Sequence, residues 1–358
     1  MSERARRGVA CWSLVGAAVA ALGCASTGPA PATSPPVASA QPAAPATPAP
    51  APSGGDGALG DRDARYKAAF DRGIELYRSG DGKGALRAFD EAKEINARSP
   101  AAYAASGSVL RALGQPEAAA PEYKRALELT AIDDAETRKA LLDMIDKETS
   151  RAESDEEQGL LDKAFQATED KRPKDALPFL RRALDLNPHN VRTRYEIGYA
   201  LIELGRMDEA IPQYEEARKL NPVHAEVLRE LQYCYSDRKR FAELRGVVAD
   251  RILVEGETPS LLQEVGFAYA ASGNTTMAIS TLENNLQRFP EFFPSHLTLA
   301  DLYCAGKDEP KAQAHLTAFL AGARTALAKG DAEHLLMSRK KLETLVHEAE
   351  ARPKTCAK

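Results

Sequence analysis

The sequence predicts an all-α solenoid, a stack of about seven helical hairpins, and two observations carry this prediction. Ala, Leu, Glu, Arg and Lys dominate the composition while aromatic residues make up only 6%, as helical arrays require. Small residues recur at a constant step, from Gly73 to Gly107 and again from Ala164 to Gly198, and a step of this length fits two helices and two turns. The near balance of 47 Lys+Arg and 52 Asp+Glu residues argues against a nucleic-acid-binding surface, which needs a basic excess.

The first 24 residues have the pattern of a sorting signal. Three arginines (Arg4, Arg6, Arg7) precede the apolar stretch Val9–Leu22, which is too short to span a bilayer comfortably. The segment then ends in ALGC at 21–24, which resembles the lipobox of bacterial lipoproteins, although Ala21 stands where that family usually has Leu. The resemblance implies cleavage before Cys24 and a diacylglycerol on its thiol. With Ala25 next, it also implies an outer-membrane location facing the periplasm. Two alternatives stay open: an ordinary signal peptide cut near Ala25, and a retained membrane anchor.

Residues 25–59 have the composition of a disordered linker. Nine prolines lie among Ala, Ser, Thr and Gly, so almost nothing there can be buried. Proline favours an extended chain, and about 35 residues at roughly 3.1 Å each reach on the order of 100 Å. We interpret the segment as a tether between the membrane and the folded part.

Seven anchor positions define the repeat. Two lie before an interruption and five follow it without insertion or deletion: Gly73, Gly107, Ala164, Gly198, Gln232, Gly266 and Ala300. A small residue usually recurs twelve positions after the anchor, an aromatic or aliphatic residue sixteen positions after it, and Ala nineteen positions after it in four units. Small residues at the first two positions let two helix backbones approach closely, and the larger side chain fills the space beside the crossing.

Helix ends follow the same frame. Pro188, Pro222 and Pro290 stop second helices, because proline cannot continue a helix. Four glycines are suited to a left-handed turn between the two helices of a hairpin: Gly80, Gly114, Gly205 and Gly273. Asp81, Asp208 and Asn274 follow them, where a side-chain acceptor can cap the free amides of the next helix.

The unit at 195–222, YEIGYALIELGRMDEAIPQYEEARKLNP, resembles the tetratricopeptide repeat. The resemblance covers 60–133 as repeats 1 and 2 and 157–322 as repeats 3 to 7. It implies a right-handed superhelix whose concave groove is lined by the first helix of each hairpin. Repeat 5 departs from the pattern, because Gln232 and Leu244 replace small residues, and we expect its hairpin to be splayed.

Three segments lie outside the repeats. An inserted helix or linker is expected at 134–156, where it would divide the stack into two blocks. Capping helices are expected at 323–350, since the last unit of an array has no neighbour to cover its apolar side. Residues 351–358 are expected to form a disordered tail.

The family's groove positions identify candidate peptide-binding residues in the middle repeats: Arg192, Tyr195, Tyr199, Glu226, Arg229, Tyr233, Gln263 and Phe267. Tyr and Arg often contribute most of the energy at protein interfaces. An equally plain alternative is that these aromatic side chains pack between neighbouring first helices. No Asn accompanies the two arginines, so the clamp by which some family members bind a terminal carboxylate is not supported.

The sequence contains no catalytic, cofactor or metal signature. Gly80–Gly84 lacks the spacing and the Ser or Thr of a phosphate-binding loop, and the cysteines lack zinc or redox spacing. Cys234 and Cys304 are expected to be semi-buried. With Cys356 they form an odd set of three thiols, so at least one is expected to be free or intermolecular.

These observations predict a non-enzymatic, membrane-anchored scaffold in the bacterial cell envelope that binds another protein or an extended peptide. The architecture is similar in plan to lipoproteins of assembly, secretion and pilus complexes. No nucleic acid and no small-molecule substrate is expected. Two alternatives stay open, a self-assembling structural lipoprotein and an accessory subunit of a cell-wall enzyme.

Overall fold

The computed structural model describes residues 56–330 and 337–352. Within these ranges the chain forms sixteen α-helices and no strand, which confirms the α-solenoid. The signal segment with Cys24, residues 25–55 of the linker and residues 353–358 of the tail lie outside the described residues. The helices are α1 (Asp56–Arg78), α2 (Gly82–Ile95), α3 (Pro100–Ala112), α4 (Pro116–Leu129), α5 (Ala135–Ser150), α6 (Asp155–Glu169), α7 (Pro173–Leu186), α8 (Val191–Glu203), α9 (Met207–Leu220), α10 (Ala225–Asp237), α11 (Phe241–Glu255), α12 (Pro259–Ala271), α13 (Thr275–Arg288), α14 (Pro294–Ala305), α15 (Glu309–Lys329) and α16 (Arg339–Glu350).

Consecutive helices pair into hairpins that stack on one another. Hairpins 1 and 2 are α1/α2 and α3/α4, and hairpins 3 to 7 run from α6/α7 to α14/α15. The inserted α5 separates these two groups. The last helix, α16, contributes Leu342 and Ala349 to an apolar cluster with Phe319 and Ala323 of α15, and so covers the open end of hairpin 7. No helix in the described part of the chain is long and apolar enough to cross a membrane.

Each regular hairpin is closed by a large side chain lying over a small anchor residue. A Cβ atom added to Gly198 would lie 2.5 Å from Cε1 of Tyr214, and one added to Gly107 would lie 2.5 Å from Cε1 of Tyr123. Gly73 and Gly266 meet Phe89 and Leu282 in the same way. The anchor is therefore small because the ring of the second helix occupies the space that a side chain would need.

The turn inside every hairpin uses a left-handed residue seven positions after the anchor. The prediction for the four glycines is confirmed, with φ between 72° and 88°. Lysines take the same conformation in the three other hairpins, at Lys171, Lys239 and Lys307 with φ of 59°, 56° and 62°. The stacking geometry therefore fixes this turn even where no glycine reduces its backbone strain.

Two of the three predicted helix caps are confirmed. The carboxylate of Asp81 accepts from the amide of Gly84 at 2.8 Å, and Asn274 caps α13. The prediction for Asp208 is wrong, because α9 begins one residue earlier and places Asp208 inside its first turn. There its carboxylate accepts instead from Nε of Arg238 at 2.7 Å.

The N-terminal block, α1 to α5, packs against the side of the C-terminal block, α6 to α16. Asp250 of α11 is buried at this contact, with a side chain only 5% exposed, and it binds Nζ of Lys124 in α4 at 2.6 Å and Nε of Arg218 in α9 at 3.0 Å. The buried guanidinium of Arg138 in α5 donates to the carbonyl oxygen of Leu253 in α11.

Apolar side chains from both blocks share the same contact. Val223, in the turn between hairpins 4 and 5, packs in one cluster with Leu127 of α4 and with Leu141 and Ile145 of α5. Beside this cluster, Nδ2 of Asn221 donates to Oγ1 of Thr149 at 3.0 Å. Through these contacts the N-terminal block packs against the turn that connects the second helix of hairpin 4 to the first helix of hairpin 5.

Substituting Gly198 tests the close crossing. We expect Gly198→Ala to lower the free energy of unfolding by about 1–3 kcal/mol, because its methyl group would displace the ring of Tyr214. Gly159→Ala is the matched control, since a Cβ there has no neighbour within 4 Å, and alanine should raise helix stability by up to about 1 kcal/mol. Urea unfolding followed by far-ultraviolet circular dichroism measures the free energy of unfolding of both variants. A Gly198→Ala protein as stable as the wild type would contradict the packing argument.

Candidate functional site

Four aromatic residues form a ladder along the first helices of hairpins 3 to 6. Phe165, Tyr199, Tyr233 and Phe267 each come directly after their anchor, so successive rings are one repeat apart. Phe165 is 42% exposed, the two tyrosines are partly exposed and Phe267 is buried. We call the surface that α6, α8, α10 and α12 form around these residues the groove face. Phe165 was not among the predicted site residues, although the repeat spacing alone identifies it.

Tyr195 lies in the core instead of on the groove face. Its side chain is only 7% exposed, and its ring stacks between Tyr199 at 6.3 Å and His224 at 5.9 Å, measured between ring centroids. The imidazole of His224 in turn lies 3.3 Å from a carboxylate oxygen of Asp146 in α5. Tyr195 therefore packs against the inner side of the ladder residue Tyr199, next to the contact with the N-terminal block.

The charged candidates lie at the exposed ends of α8 and α10. Arg192, Glu226 and Arg229 are all exposed. Nε of Arg229 lies 3.0 Å from Oε1 of Glu255 in α11, and Glu226 lies close to both Arg229 and the cap residue His224. Positive and negative side chains thus alternate beside the ladder, without an excess of either sign.

The last two candidates contact neighbouring helices. The amide of Gln263 is buried and joins α12 to α14, because it donates to Oγ1 of Thr298 at 2.8 Å and accepts from Ser295 at 2.6 Å. Phe267 packs edge-on against Phe241 of α11, with ring centroids 5.9 Å apart. Of the eight predicted residues, Arg192, Tyr199, Glu226, Arg229 and Tyr233 therefore present surface to solvent, whereas Tyr195, Gln263 and Phe267 are buried.

A polar network replaces the small residues of hairpin 5. Arg251 of α11 donates to the amide oxygen of Gln232, and the amide nitrogen of Gln232 donates to the carboxylate of Glu264 in α12. Arg251 also binds Glu255 at 2.7 Å. The two helices of hairpin 5 make less extensive contact than those of the other hairpins, in agreement with the expected splaying. The long side chains join the two helices by a hydrogen bond where the other hairpins have small residues.

Burial raises the pKa of the Glu264 carboxyl to about 7, and the positive charge of Arg251 only partly opposes this effect. The folded protein therefore binds this proton more tightly than the unfolded chain does. A raised acid pKa contributes stability below the unfolded value near 4.5, and that contribution is lost as pH rises through 7. Burial lowers the pKa of His296 to about 4. This imidazole therefore makes the folded protein more stable as pH rises, which opposes the effect of Glu264 over an overlapping pH range.

Glu264→Gln isolates the effect of this carboxyl. We expect the variant to match the wild type near pH 5 and to exceed its free energy of unfolding by about 1–3 kcal/mol near pH 8, because the amide carries no charge to bury. Glu209→Gln is the control, an exposed carboxylate paired with Arg206 at 2.6 Å, and it should change stability little. Denaturant unfolding across pH measures both. A difference between Glu264→Gln and wild type that stays constant with pH would contradict the assignment.

The cysteines and metal-ligating groups complete the inventory of reactive side chains. Cys234 is a free thiol in the core, and burial raises its pKa to about 12. Cys304 is partly exposed and disulfide-bonded. Among the residues that the structure describes, no group of three or more His, Cys, Asp and Glu side chains is arranged to hold a metal ion.

Several solved structures are similar to this chain. MamA from Desulfovibrio magneticus is 18% identical, covering 48% of this chain and 97% of its own, with a TM-score of 0.41. PilF of Pseudomonas aeruginosa is 19% identical over 64% of this chain and 94% of its own, with a TM-score of 0.29. YrrB, a tetratricopeptide repeat protein with an unusual peptide-binding site, is 19% identical over 57% and 94%, with a TM-score of 0.25.

Family models identify the repeats directly, whereas no curated protein matches the chain significantly. Tetratricopeptide repeat models match residues 70–135, which include most of hairpins 1 and 2, and residues 167–232, which extend from the end of α6 into α10. The two matched segments lie on either side of α5 and share the repeat spacing of the anchors. Tetratricopeptide repeat models therefore match one segment in each of the two blocks.

Proposed function

We propose that this protein is a non-enzymatic scaffold that binds an extended segment of another protein across the groove face, while a lipid on Cys24 anchors it to a membrane. The observation that carries the proposal is the aromatic ladder. Four rings at equal sequence steps on neighbouring helices provide a regular row of apolar contacts. An extended peptide can place successive side chains against such a row.

The exposure of the ladder supports binding at its N-terminal end. Phe165 leaves 42% of its surface in water, and Tyr199 and Tyr233 are partly exposed. Aromatic rings contribute large contact areas with few rotatable bonds, so they lose little conformational entropy when a partner covers them. The ladder then becomes buried at Phe267, which favours a contact surface on hairpins 3 to 5.

The charges around the ladder favour a partner segment of mixed charge. Arg229 lies 3.8 Å from Glu226, Arg192 is exposed on the preceding first helix, and the whole chain has a formal net charge of only −5. A strongly acidic or strongly basic partner would meet like charges as often as opposite ones. Affinity would therefore come mainly from the rings, and the charges would set the register of the bound segment.

Two features support a location in the cell envelope. The lipobox-like ALGC and the proline-rich linker precede the folded part. Cys304 is disulfide-bonded, and disulfides persist in oxidising compartments such as the bacterial periplasm. Both support a solenoid that the proline-rich segment tethers to an outer membrane.

Site-specific photo-crosslinking tests the groove face. A photoreactive phenylalanine analogue at position 165, 199 or 233 should form an adduct with a partner in living cells. The same analogue at 186 or 277 should not, since Leu186 and Met277 are equally exposed but lie on second helices. With the analogue at 165, Tyr199→Ala/Tyr233→Ala should reduce the adduct about tenfold or more.

The mass of the adduct separates the alternatives. Equal adducts at the groove and control positions would contradict a specific groove. An adduct of twice the mass of the chain would identify a second copy and favour self-assembly over partner binding. Folding of the double variant is checked by circular dichroism before its adduct is compared.

Cys24→Ser tests the anchor. We expect the wild type to incorporate labelled fatty acid and to sediment with membranes, and the variant to do neither, because each buried methylene contributes about 0.8 kcal/mol. An unlipidated wild type in the soluble fraction would indicate ordinary secretion. A Cys24→Ser protein that is never lipidated but stays membrane-bound would indicate an uncleaved apolar segment.

A further inference from the structure

Three of the first helices that carry the ladder end in a carboxylate. Glu169, Glu203 and Asp237 are the last residues of α6, α8 and α10, and all three are exposed. Each follows its ladder residue by four positions, so it lies one helical turn further along the same face of the helix. The carboxylates therefore form a second row beside the ladder, which we call the acidic edge of the groove face.

The placement of these carboxylates is unfavourable for helix stability. The C-terminal end of a helix carries a partial negative charge, so a carboxylate there is repelled, whereas Lys or Arg would be attracted. The last turns of α6, α8 and α10 contain no basic residue. First helices of a stacked array run in the same direction, so three negative helix ends and three carboxylates lie side by side. A positively charged ligand would relieve this repulsion.

Positive side chains of the following turns offset part of the charge. Arg238 binds Asp237 at 2.6 Å, which shows that an arginine side chain fits against this edge. Lys171 and Lys239 are exposed in the turns after α6 and α10. The corresponding position after α8 is a glycine, so the centre of the row lacks a lysine.

The acidic edge and the exposed part of the ladder cover the same three hairpins. In hairpin 6 the ladder residue Phe267 is buried and the edge position is Ala271. In hairpins 1 and 2 the edge position is Arg78 and Ala112. Two independent features therefore change together between hairpins 5 and 6, as expected if both contact the same partner.

The opposite edge of the groove face carries arginines. Arg192 and Arg229 lie toward the N-terminal ends of α8 and α10, where helix ends are positive. Glu226 on that edge lies 3.8 Å from Arg229. The ladder thus lies between a positive and a negative edge, so a bound segment of mixed charge would place its acidic side chains toward the arginines and its basic side chains toward the acidic edge.

The chain itself provides one example of such binding. Asp301 of α14 occupies the next ladder position after Phe267. Its carboxylate is only 15% exposed and forms an ion pair with the guanidinium of Arg352, which follows α16. A carboxylate at a ladder position of a first helix therefore already binds an arginine side chain.

We propose that the acidic edge binds lysine or arginine side chains of the partner segment, about one for each of hairpins 3 to 5. Packed helices are about 8–10 Å apart, and an extended polyproline-like chain advances roughly 9 Å in three residues. A basic residue at every third position would therefore reach each carboxylate in turn. Its aliphatic stem would lie on the ladder ring, and its charged head would meet the carboxylate. This inference rests on the proposed binding of an extended segment to the groove face.

Fluorescein-labelled peptides with a period of three residues test the acidic edge. Three of them repeat Leu-Pro-Lys, Leu-Pro-Gln or Leu-Pro-Glu, and a fourth has the composition of the Lys peptide with its lysines grouped at one end. Fluorescence anisotropy with the full-length protein in detergent measures their affinities. We expect the Lys peptide to bind about tenfold more tightly than the Gln peptide and the grouped peptide, and the Glu peptide to bind most weakly.

Charge removal tests where the Lys peptide binds. We expect Glu169→Gln/Glu203→Gln/Asp237→Asn to weaken the Lys peptide about tenfold and to leave the Gln peptide unchanged, because exposed ion pairs each contribute modestly. The variant should be at least as heat-stable as the wild type, since carboxylates at helix C-termini are unfavourable. The control removes three exposed carboxylates of second helices and should bind like the wild type: Asp175→Asn/Asp185→Asn/Glu209→Gln.

Four results would overturn the inference: no binding of the Lys peptide to the wild type, equal binding of the Lys and Gln peptides, equal binding of the Lys and grouped peptides, or equal weakening by both triple variants. Tyr199→Ala/Tyr233→Ala separates this inference from the proposed function, because it should weaken the Lys and Gln peptides alike. If it does so while these two peptides bind the wild type equally, the groove face stands and the acidic edge fails. A Lys peptide that binds this double variant as tightly as the wild type would contradict both.

Discussion

The close crossing of two helices inside each hairpin is the constraint on which the rest of this structure depends. Where the anchor is glycine, the ring or branched side chain of the second helix lies directly over the backbone of the first, as Tyr214 lies over Gly198. This contact fixes the separation and angle of the pair. Because the same pair recurs once in every regular repeat, the side chain after each anchor always points to the same surface. The groove face is thus a consequence of how the hairpins close.

Hairpin 5 shows what happens when that constraint is relaxed. Gln232 occupies the anchor and Arg251 occupies a position that is alanine in hairpins 1 to 4. The two side chains bind each other, and through Gln232 they reach Glu264 of the next hairpin. Hydrogen bonds replace the close contact of small residues here, and the network includes a carboxyl whose pKa burial raises to about 7. This network lies beside Arg229, because Glu255 pairs with both Arg251 and Arg229.

The buried Asp250 has the comparable role between the two blocks. Its carboxylate binds Lys124 of α4 and Arg218 of α9. A buried carboxylate is expensive to desolvate, so this arrangement specifies one docking geometry more than it adds stability. The same contact brings Asp146 to His224 and so fixes the aromatic stack behind Tyr199.

Local sequence predicted the elements that depend on local rules. Residue size at fixed spacing predicted the hairpins, and glycine residues predicted four of the seven left-handed turns. Lys171, Lys239 and Lys307 were missed, because stacking imposes a conformation that lysine itself disfavours. Spacing could also have identified Phe165, whereas the burial of Tyr195 and Gln263 depends on neighbouring helices. The contact of Asp250 with Lys124 joins residues 126 positions apart, and no local pattern encodes it.

Amide hydrogen exchange along the full chain tests most directly whether close crossings hold the groove face in place. We expect the slowest exchange at the centres of hairpins with a small anchor, such as the region around Gly198. Hairpin 5 should exchange faster than hairpins 4 and 6 on either side of it, because its two helices make less extensive contact. Exchange in hairpin 5 as slow as in hairpin 4, or equal exchange at helix centres and helix ends throughout hairpins 3 to 7, would contradict the account.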